Sequence, residues 1–359
     1  MSSSASSPHP KPLDAQNTKH VVLGNLLFKT WYQSIYPEDL VASDTDRLYV
    51  CRWCFRYSCD GAAYTKHTRA CEHRTTPPGT KVYDDAGYSV WEIDGAEDKL
   101  FAQNLSLFSK LFVDHKSVFF DVVSFLFYIL VFTDPNDPDN YSILGYFSKE
   151  KLSWDPNNLA CILIFPPYQH KQLGKLLMGV SYKLSAWEKD AALIGGPERP
   201  LSEMGKKSYV RFWEERIARY LLLDKHDEDS GDGDGDSVKQ QQKISKSSGK
   251  KRPHPQKSMS VQEIGLATGM LTDDVVTALT SMGVVEPTTN KKRKKAPSSE
   301  EDTTAEDRSV SVRKSKVMEW VKSRRVALHD PVREEGFLGG WALSNLNGVR
   351  SVESEEEEE

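Results

Sequence analysis

Apolar and polar positions fall in blocks along the 359-residue chain, and one block gives a clear succession of elements. Leu159 to Phe165 is a continuous apolar run with Cys161 inside it, the pattern of a buried strand, and Pro166-Pro167 ends it. After the polar turn Tyr168 to Gln172, the residues Leu173, Leu176, Leu177, Val180, Leu184 and Trp187 recur at helical spacing. A strand that turns directly into a helix aims several backbone N–H groups at one place and makes a seat for a phosphate. Gly195-Gly196-Pro197 then predicts a tight loop that delivers Glu198 just before a second helix. Ser202 is its candidate N-cap, and Tyr209, Phe212, Trp213, Ile217 and Tyr220 are its apolar positions. On pattern alone, an ordinary strand-turn-helix unit with a surface glutamate explains this block equally well.

Upstream, residues 21–40 alternate apolar and aromatic positions and predict a strand that brings Trp31, Tyr32 and Tyr36 to the core or to a surface groove, core packing being the preferred role. Residues 81–95 read as two short strands around Asp84-Asp85-Ala86-Gly87. In residues 98–112 a helical stripe carries Leu100, Leu107, Phe108, Leu111 and Phe112, and 118–132 reads as an extended segment, a bend and a central strand. A loop is expected at 134–140 and a strand over Tyr141–Phe147. The outcome is an α/β (α+β) fold, a mixed central sheet with flanking helices. Further on, 259–287 reads as two short helices with Thr272 as a possible cap, a helix-turn-helix-like module, and 313–326 as a last helix.

Composition divides the chain. Residues 1–20, 224–258 and 287–311 are poor in apolar side chains and are expected to be disordered, and 346–359 is an acidic tail. The intervening blocks are 21–78, 79–223 as the main folded core, 259–286, and 312–345 as a C-terminal helical segment. The net charge of −5 averages over strong local runs, among them the basic pentamer Lys291 to Lys295, suited to nuclear import or loose nucleic-acid contact. Helix candidate 271–283 contains no Lys or Arg, which argues against sequence-specific DNA reading. The first 14 residues lack the apolar segment of a signal peptide, and the greasiest run, 118–132, is too short to span a bilayer, so no membrane association is expected.

Five cysteines are an odd number, and four of them fall within 21 residues. Cys51, Cys54, His67 and Cys71 form a C-x2-C-x12-H-x3-C arrangement, the spacing of one closed, structural Zn2+ site. His67 and Cys71 are expected on one face of a short helix beginning near Tyr64; Cys59 and His73 are spare candidates.

FKTWYQSIYP (28–37), this finger, PPGTKVY (77–83), EIDG (92–95), QNLSLFSKLFVDHK (103–116), LGYFSKEK (144–151), NLACILIFPPYQ (158–169) and GGPERPLSEMG (195–205) together resemble the MYST family of histone acetyltransferases. The short finger-plus-acetyltransferase layout resembles its fungal, silencing-associated branch. The resemblance implies an acetyl-CoA-dependent acyltransferase fold acting on a histone tail, that of H4, in the nucleus and within a chromatin-modifying complex. It implies Glu198 as general base, Cys161 beside the acetyl group, and Lys116 as an autoacetylated lysine. The implied acetyl-CoA contacts are Ile162, Leu163, Ile164, Gln169, His170, Lys171, Gln172, Leu173, Gly174, Lys175 and Ser202.

In chemical terms, a carboxylate takes the proton from the attacking ammonium, and strand N–H groups steady the developing oxyanion. Direct attack is preferred, with an acetyl-cysteine route through Cys161 open. Asp84, Asp85, Glu92, Asp94, Glu97 and Asp98 are acidic groups available to a basic tail. One residue departs from the family pattern: Gln172 stands where the pyrophosphate loop ordinarily has its first glycine. That substitution supports the alternative of a chromatin-complex subunit with weak or no catalysis, while Glu198, Cys161 and Lys116 oppose it.

Overall fold

The computed structural model describes residues 18–188, 194–223, 257–286 and 309–346. The expected disorder over most of 1–20, 224–258 and 287–311, the pentamer 291–295 and the acidic tail lie outside the described residues. The margins 18–20, 257–258 and 309–311, expected to be disordered, are strand. Among the described residues no helix is long and apolar enough to cross a membrane.

The chain forms two compact units, one built from residues up to Pro200 together with Pro331 onward, the other from Leu201–Asp330. The first begins with β1 (Thr18–Leu23), β2 (Leu26–Lys29), β3 (Thr45–Val50), β4 (Tyr57–Ser58) and α1 (Gly61–Arg69). The expected single strand over 21–40 is instead a hairpin turning at Gly24 followed by irregular chain; Gly24 has φ 64°, a conformation that glycine adopts freely. β1 also pairs parallel with β3, giving the sheet order β2-β1-β3-β4. Asp60 caps α1 by accepting from the N–H groups of Ala62 and Ala63, the latter at 3.4 Å.

The central sheet follows: β5 (Thr80–Asp85), β6 (Tyr88–Asp94), α2 (Lys99–Lys110), β7 (Phe125–Asp134), β8 (Asp137–Glu150), β9 (Asn157–Leu159), β10 (Cys161–Ile164), α3 (Leu173–Trp187) and β11 (Gly196–Pro197). Its five strands run β10-β8-β7-β6-β5, all neighbours antiparallel. β7 is buried on both faces: Phe127, Ile129 and Val131 join the core with α2, while Tyr128 and Leu130 are buried on the other side. α2 buries Phe101, Leu105, Leu107 and Phe108, whereas Leu100, placed on the stripe by spacing, points to solvent.

The segment 134–140 is not a loop. Its Asp and Pro residues suggest one, but the β7–β8 ladder continues to Asp134–Asp137 and leaves only Pro135 and Asn136 to turn. The apolar run 159–165 is likewise not one strand. Leu159 belongs to β9, which pairs parallel with β11, and Cys161 begins β10, which pairs antiparallel with β8.

After Pro331 the chain lies along β5 and α3. Leu338 N–H donates to the Val82 carbonyl, and Phe337 packs edge-on against Tyr83 and Trp187 with centroids 5.0 and 4.7 Å away. Lys183 pairs with Glu334, and a Cβ on Gly179 would meet Val332 at 2.5 Å. The strap therefore fixes the long helix at its middle and C-terminal half.

The second unit contains α4 (Glu203–Leu223), β12 (Lys257–Ser260), α5 (Val261–Thr268), α6 (Thr272–Met282), β13 (Val285–Glu286), β14 (Ser309–Val312) and α7 (Lys314–Arg324). α4 packs against α5, α6 and α7 rather than closing the block that composition ends at residue 223. Arg216 donates to the Thr268 carbonyl at 2.6 Å and Ser281 to Glu214 at 2.6 Å, tying α4 to the two short helices. Thr272 is the first helical residue, not the cap: Leu271 holds that position and provides no side-chain bond. Ser260 and Glu263 build a reciprocal capping box at α5.

Candidate active site and metal centre

Cys51, Cys54, His67 and Cys71 come together with all ligand atoms within 4.8 Å of one another. Cys51 Sγ and Cys71 Sγ are 3.8 Å apart, and Cys54 Sγ lies 3.1 Å from His67 Nε2. Two sulfurs each 2.3 Å from a tetrahedral ion stand about 3.8 Å apart, so the donor set and spacing fit one structural Zn2+. Hydrogen bonding with Cys54 lowers the Cys51 thiol to about 5 against the opposing effect of burial, while the same bond raises Cys54 and burial raises Cys71, so Cys51 is the member of the cluster that most readily gives a thiolate.

The expectation that His67 and Cys71 share a helix is corrected. α1 ends at Arg69, and Cys71 is the extended residue that begins the next 3-10 turn. Cys59 is exposed and bonded to the Leu40 carbonyl, and His73 faces Phe101, so neither spare candidate joins the cluster.

The knuckle between Cys51 and Cys54 reaches the core through Phe55. Its left-handed backbone (φ 59°) turns the ring inward, where it is 1% exposed and touches Phe101, Phe108 and Phe165 at 5.4–5.6 Å between centroids. Phe165 directly follows β10. The metal cluster and the Cys161 strand thus share one aromatic core.

β10 is an edge strand, so its outer row of N–H and C=O groups has no strand partner. It approaches β8 closely at Gly145, where a Cβ would stand 2.4 Å from the Leu163 carbonyl oxygen. Cys161 is half-buried and its Sγ lies 3.5 Å from Tyr146 Oη. Burial, then the neighbouring Cys161, pushes the Tyr146 phenol well above its ordinary value, so it remains protonated. Ile162 and Ile164 are half-buried, and Leu163 is buried.

Beyond β10 the chain makes a 3-10 turn over Pro166–Tyr168, and Gln169 donates its side-chain amide to the Ile164 carbonyl at 2.8 Å. His170 (φ 64°) and Gln172 (φ 63°) are both left-handed. α3 starts at Leu173 with no side-chain cap, and the space beside Gly174 is open. His170, Lys171 and Gln172 are exposed and Lys175 is half-buried. An uncapped 15-residue helix opening onto free space beside an unpaired strand edge fits a pyrophosphate and its pantetheine arm.

Glu198 is held beside this strand by its backbone. β11 pairs with β9, and Glu198 N–H donates to the Leu159 carbonyl at 2.9 Å, two residues before Cys161. Gly196-Pro197 is therefore strand rather than free loop. The residue is exposed as a whole, while its carboxyl is partly enclosed by protein. That enclosure raises the carboxyl above its ordinary value, Glu150 and Asp155 push it further the same way, and the positive charge of Lys116 opposes them. Lys116 is half-buried, so the structure brings Cys161, Glu198 and Lys116 to one region. Ser202 belongs to the second unit, where its hydroxyl accepts from the Gly205 N–H and caps α4.

Composition did not single out Glu150, Asp155, Tyr146 or Asn158. Asn158 in β9 is 2% exposed, and neither its amide oxygen nor nitrogen has a partner among the described residues. The six acidic residues expected to serve a basic tail are partly neutralised: Lys81 pairs with Asp84, Arg333 with Asp85 and Lys151 with Asp94.

A metal knuckle built into the core of an acyltransferase-like sheet, with a carboxylate beside its edge strand, defines a class. The chain belongs to the MOZ/SAS family, whose model matches residues 76–323, and the MYST family zinc finger domain matches residues 15–71. It is 37% identical over 263 residues to "Histone acetyltransferase MOF" of Drosophila melanogaster, covering 73% of this chain and 27% of that protein. It is 35% identical over 264 residues to "Histone acetyltransferase Tip60 homolog" of Caenorhabditis elegans, covering 74% and 50%. Against "Histone acetyltransferase ESA1" of Debaryomyces hansenii it is 34% identical over 293 residues, covering 77% and 54%. The chain thus spans about half, or less, of the length of these relatives.

Proposed function

We propose that the chain transfers the acetyl group of acetyl-CoA to a lysine ε-amine of a histone tail, that of H4, with Glu198 as general base. The observation that carries this reading is the anchoring of Glu198 onto β9, next to the strand that begins at Cys161 and leads through the 166–172 turn to the uncapped start of α3. Glu198 accepts the ammonium proton; the neutral amine forms the C–N bond as the C–S bond breaks, the nitrogen releases its second proton to solvent, and the departing thiolate takes up the proton held by Glu198. The outward-facing N–H groups of Ile162 and Ile164, on the edge of β10 away from β8, steady the carbonyl oxygen. The turn Gln169, His170, Lys171, Gln172, Leu173, Gly174 and Lys175 holds the phosphates. Among the described residues no histidine or carboxylate is bonded to Cys161, which supports direct attack over an acetyl-cysteine route.

The narrower placement in the fungal, silencing-associated branch, the nuclear location and membership of a chromatin-modifying complex belong to the same proposal. The branch draws on the finger leading straight into the acetyltransferase region, and the relatives named above, from a fly, a nematode and a yeast, do not narrow it; the nuclear location and the complex draw on the histone acetyltransferase names of those relatives. Zinc-loaded protein is expected to acetylate an H4-tail peptide and, with acetyl-CoA alone, to gain one acetyl group on Lys116, read by mass spectrometry. Protein that binds acetyl-CoA and does neither would overturn the reading.

The second reading, a subunit with weak or no catalysis, draws on Gln172. Its φ of 63° is where relatives' glycine is at ease, and a side chain costs about 1 kcal/mol there. Because Gln172 is exposed, its side chain is spare to the core and stands where a pyrophosphate would approach. Gln172→Gly is expected to tighten acetyl-CoA binding about two- to fivefold by calorimetry. Equal affinities would show that the glutamine is neutral.

A further inference from the structure

Between β8 and β9 the chain exposes two large apolar side chains, Leu152 at 94% and Trp154 at 105%, more than any other large hydrophobic residue among those described. They cannot fold inward, because both ends of their loop are tied. Lys151 N–H donates to the Ser124 carbonyl at 2.9 Å and its ammonium pairs with Asp94 at 2.5 Å. On the far side, Asn157 N–H donates to Asp155 and Gly196 N–H to Pro156. This second tie is to β11, two residues before Glu198. The loop is therefore a fixed lip next to the candidate base.

The charges flanking the exposed pair that have no ion-pair partner among the described residues are of one sign. Glu150 and Asp155 have no ion-pair partner among the described residues, whereas Lys151, the loop's one cation, is already engaged by Asp94. An indole face beside free carboxylates is a recognition set for ammonium or guanidinium groups, and a wholly apolar partner would leave those carboxylates desolvated and unpaired. From this charge complementarity we infer that the 152–155 lip binds Lys or Arg side chains of the peptide substrate flanking the acetylated lysine, with Trp154 stacking on the cation and Glu150 and Asp155 pairing with it. The inference rests on the proposed transfer reaction for its biological meaning, but it can be read without turnover.

The test is binding of a fluorescent Lys/Arg-rich peptide to the zinc-loaded full chain, measured by anisotropy. Trp154→Ala is expected to weaken binding about two- to fivefold, with Trp154→Phe recovering most of the loss. Asp155→Asn should weaken binding as well, and added salt should reduce the difference it makes. Leu40→Ala, at an exposed apolar position in the finger region, should bind as wild type does. An unchanged affinity in both Trp154→Ala and Asp155→Asn would overturn the inference, as would tighter binding of an uncharged apolar peptide of equal length. If peptide binding responds as expected but no acetyl transfer is found, the docking lip stands and the catalytic reading falls.

Discussion

Glu198→Gln is expected to reduce acetyl transfer at neutral pH by about 10²- to 10⁴-fold, the usual share of a positioned general base, while acetyl-CoA binding stays nearly the same. The reason lies in the substrate. A lysine ammonium has no lone pair, and at neutral pH only about one part in 10³ of a free lysine side chain is the neutral amine. A carboxylate that accepts the proton as the amine attacks removes that handicap, and an amide cannot. Glutamine preserves the size of the side chain, and the anchor to Leu159 is made by the backbone of residue 198, so the loop should keep its place. Initial rates with a tail peptide, together with acetyl-CoA calorimetry, separate the two effects. Turnover equal to wild type would remove Glu198 from its role, and joint loss of turnover and acetyl-CoA binding would point to a misplaced loop.

Removal of the metal is the second large effect. Structural zinc binding contributes about 10–16 kcal/mol in small finger peptides, comparable with or above the whole stability of an ordinary domain, about 5–15 kcal/mol. Here the consequence extends beyond the finger, because Phe55 leaves the knuckle to pack on Phe101, Phe108 and Phe165. A strong chelator is therefore expected to abolish the cooperative melt of the finger and to lower the near-ultraviolet circular dichroism of the aromatic core, with acetyl-CoA binding lost alongside. Phe55→Ala, which keeps the metal ligands, should cost about 3–5 kcal/mol in denaturant unfolding. A metal-free sample, verified by elemental analysis, that melts like the loaded protein would refute a structural role for the cluster.

Much of this architecture is legible from local pattern. The hairpin at Ala86-Gly87, the α2 and α3 stripes and the finger ligands each depend on residues close in sequence, where spacing and turn chemistry decide. The misplaced features depend on partners far away. The apolar run 159–165 looks like one strand because burial reads alike in either sheet; only the pairing of Leu159 with Pro197 and of Cys161 with Ser148 divides it at Ala160. Asp134 to Asn140 has the composition of a loop, yet β7 holds much of it in register. Leu100 satisfied the spacing and lost to geometry, since Phe101 and Leu105 already fill the side facing the sheet. Ser260 and Glu263, which the structure joins in a capping box, were not singled out in the sequence, although a Ser followed three residues later by a Glu is the local signal of one.

The site divides in the same way. Cys161, Glu198 and the anion turn are marked by their own neighbours in sequence. Glu150, Asp155 and Trp154 acquire meaning only when β9 pairs with β11 and brings their loop beside Glu198. Gln172 is the reverse case: its departure from glycine is visible in the chain, and the left-handed backbone shows what it costs.

The most direct test of proton acceptance by Glu198 is the pH dependence of kcat/KM for the tail peptide in wild type and Glu198→Gln. Partial enclosure and the charges of Glu150 and Asp155 hold the carboxyl above the ordinary carboxylate value of about 4.3. The base form is then gained as pH rises through that elevated value, so the wild-type rate should climb through it and then level off above it. Without the carboxylate, Glu198→Gln should keep climbing in proportion to the neutral-amine fraction. Profiles of the same shape, with the same acid-side break in both proteins, would contradict the account.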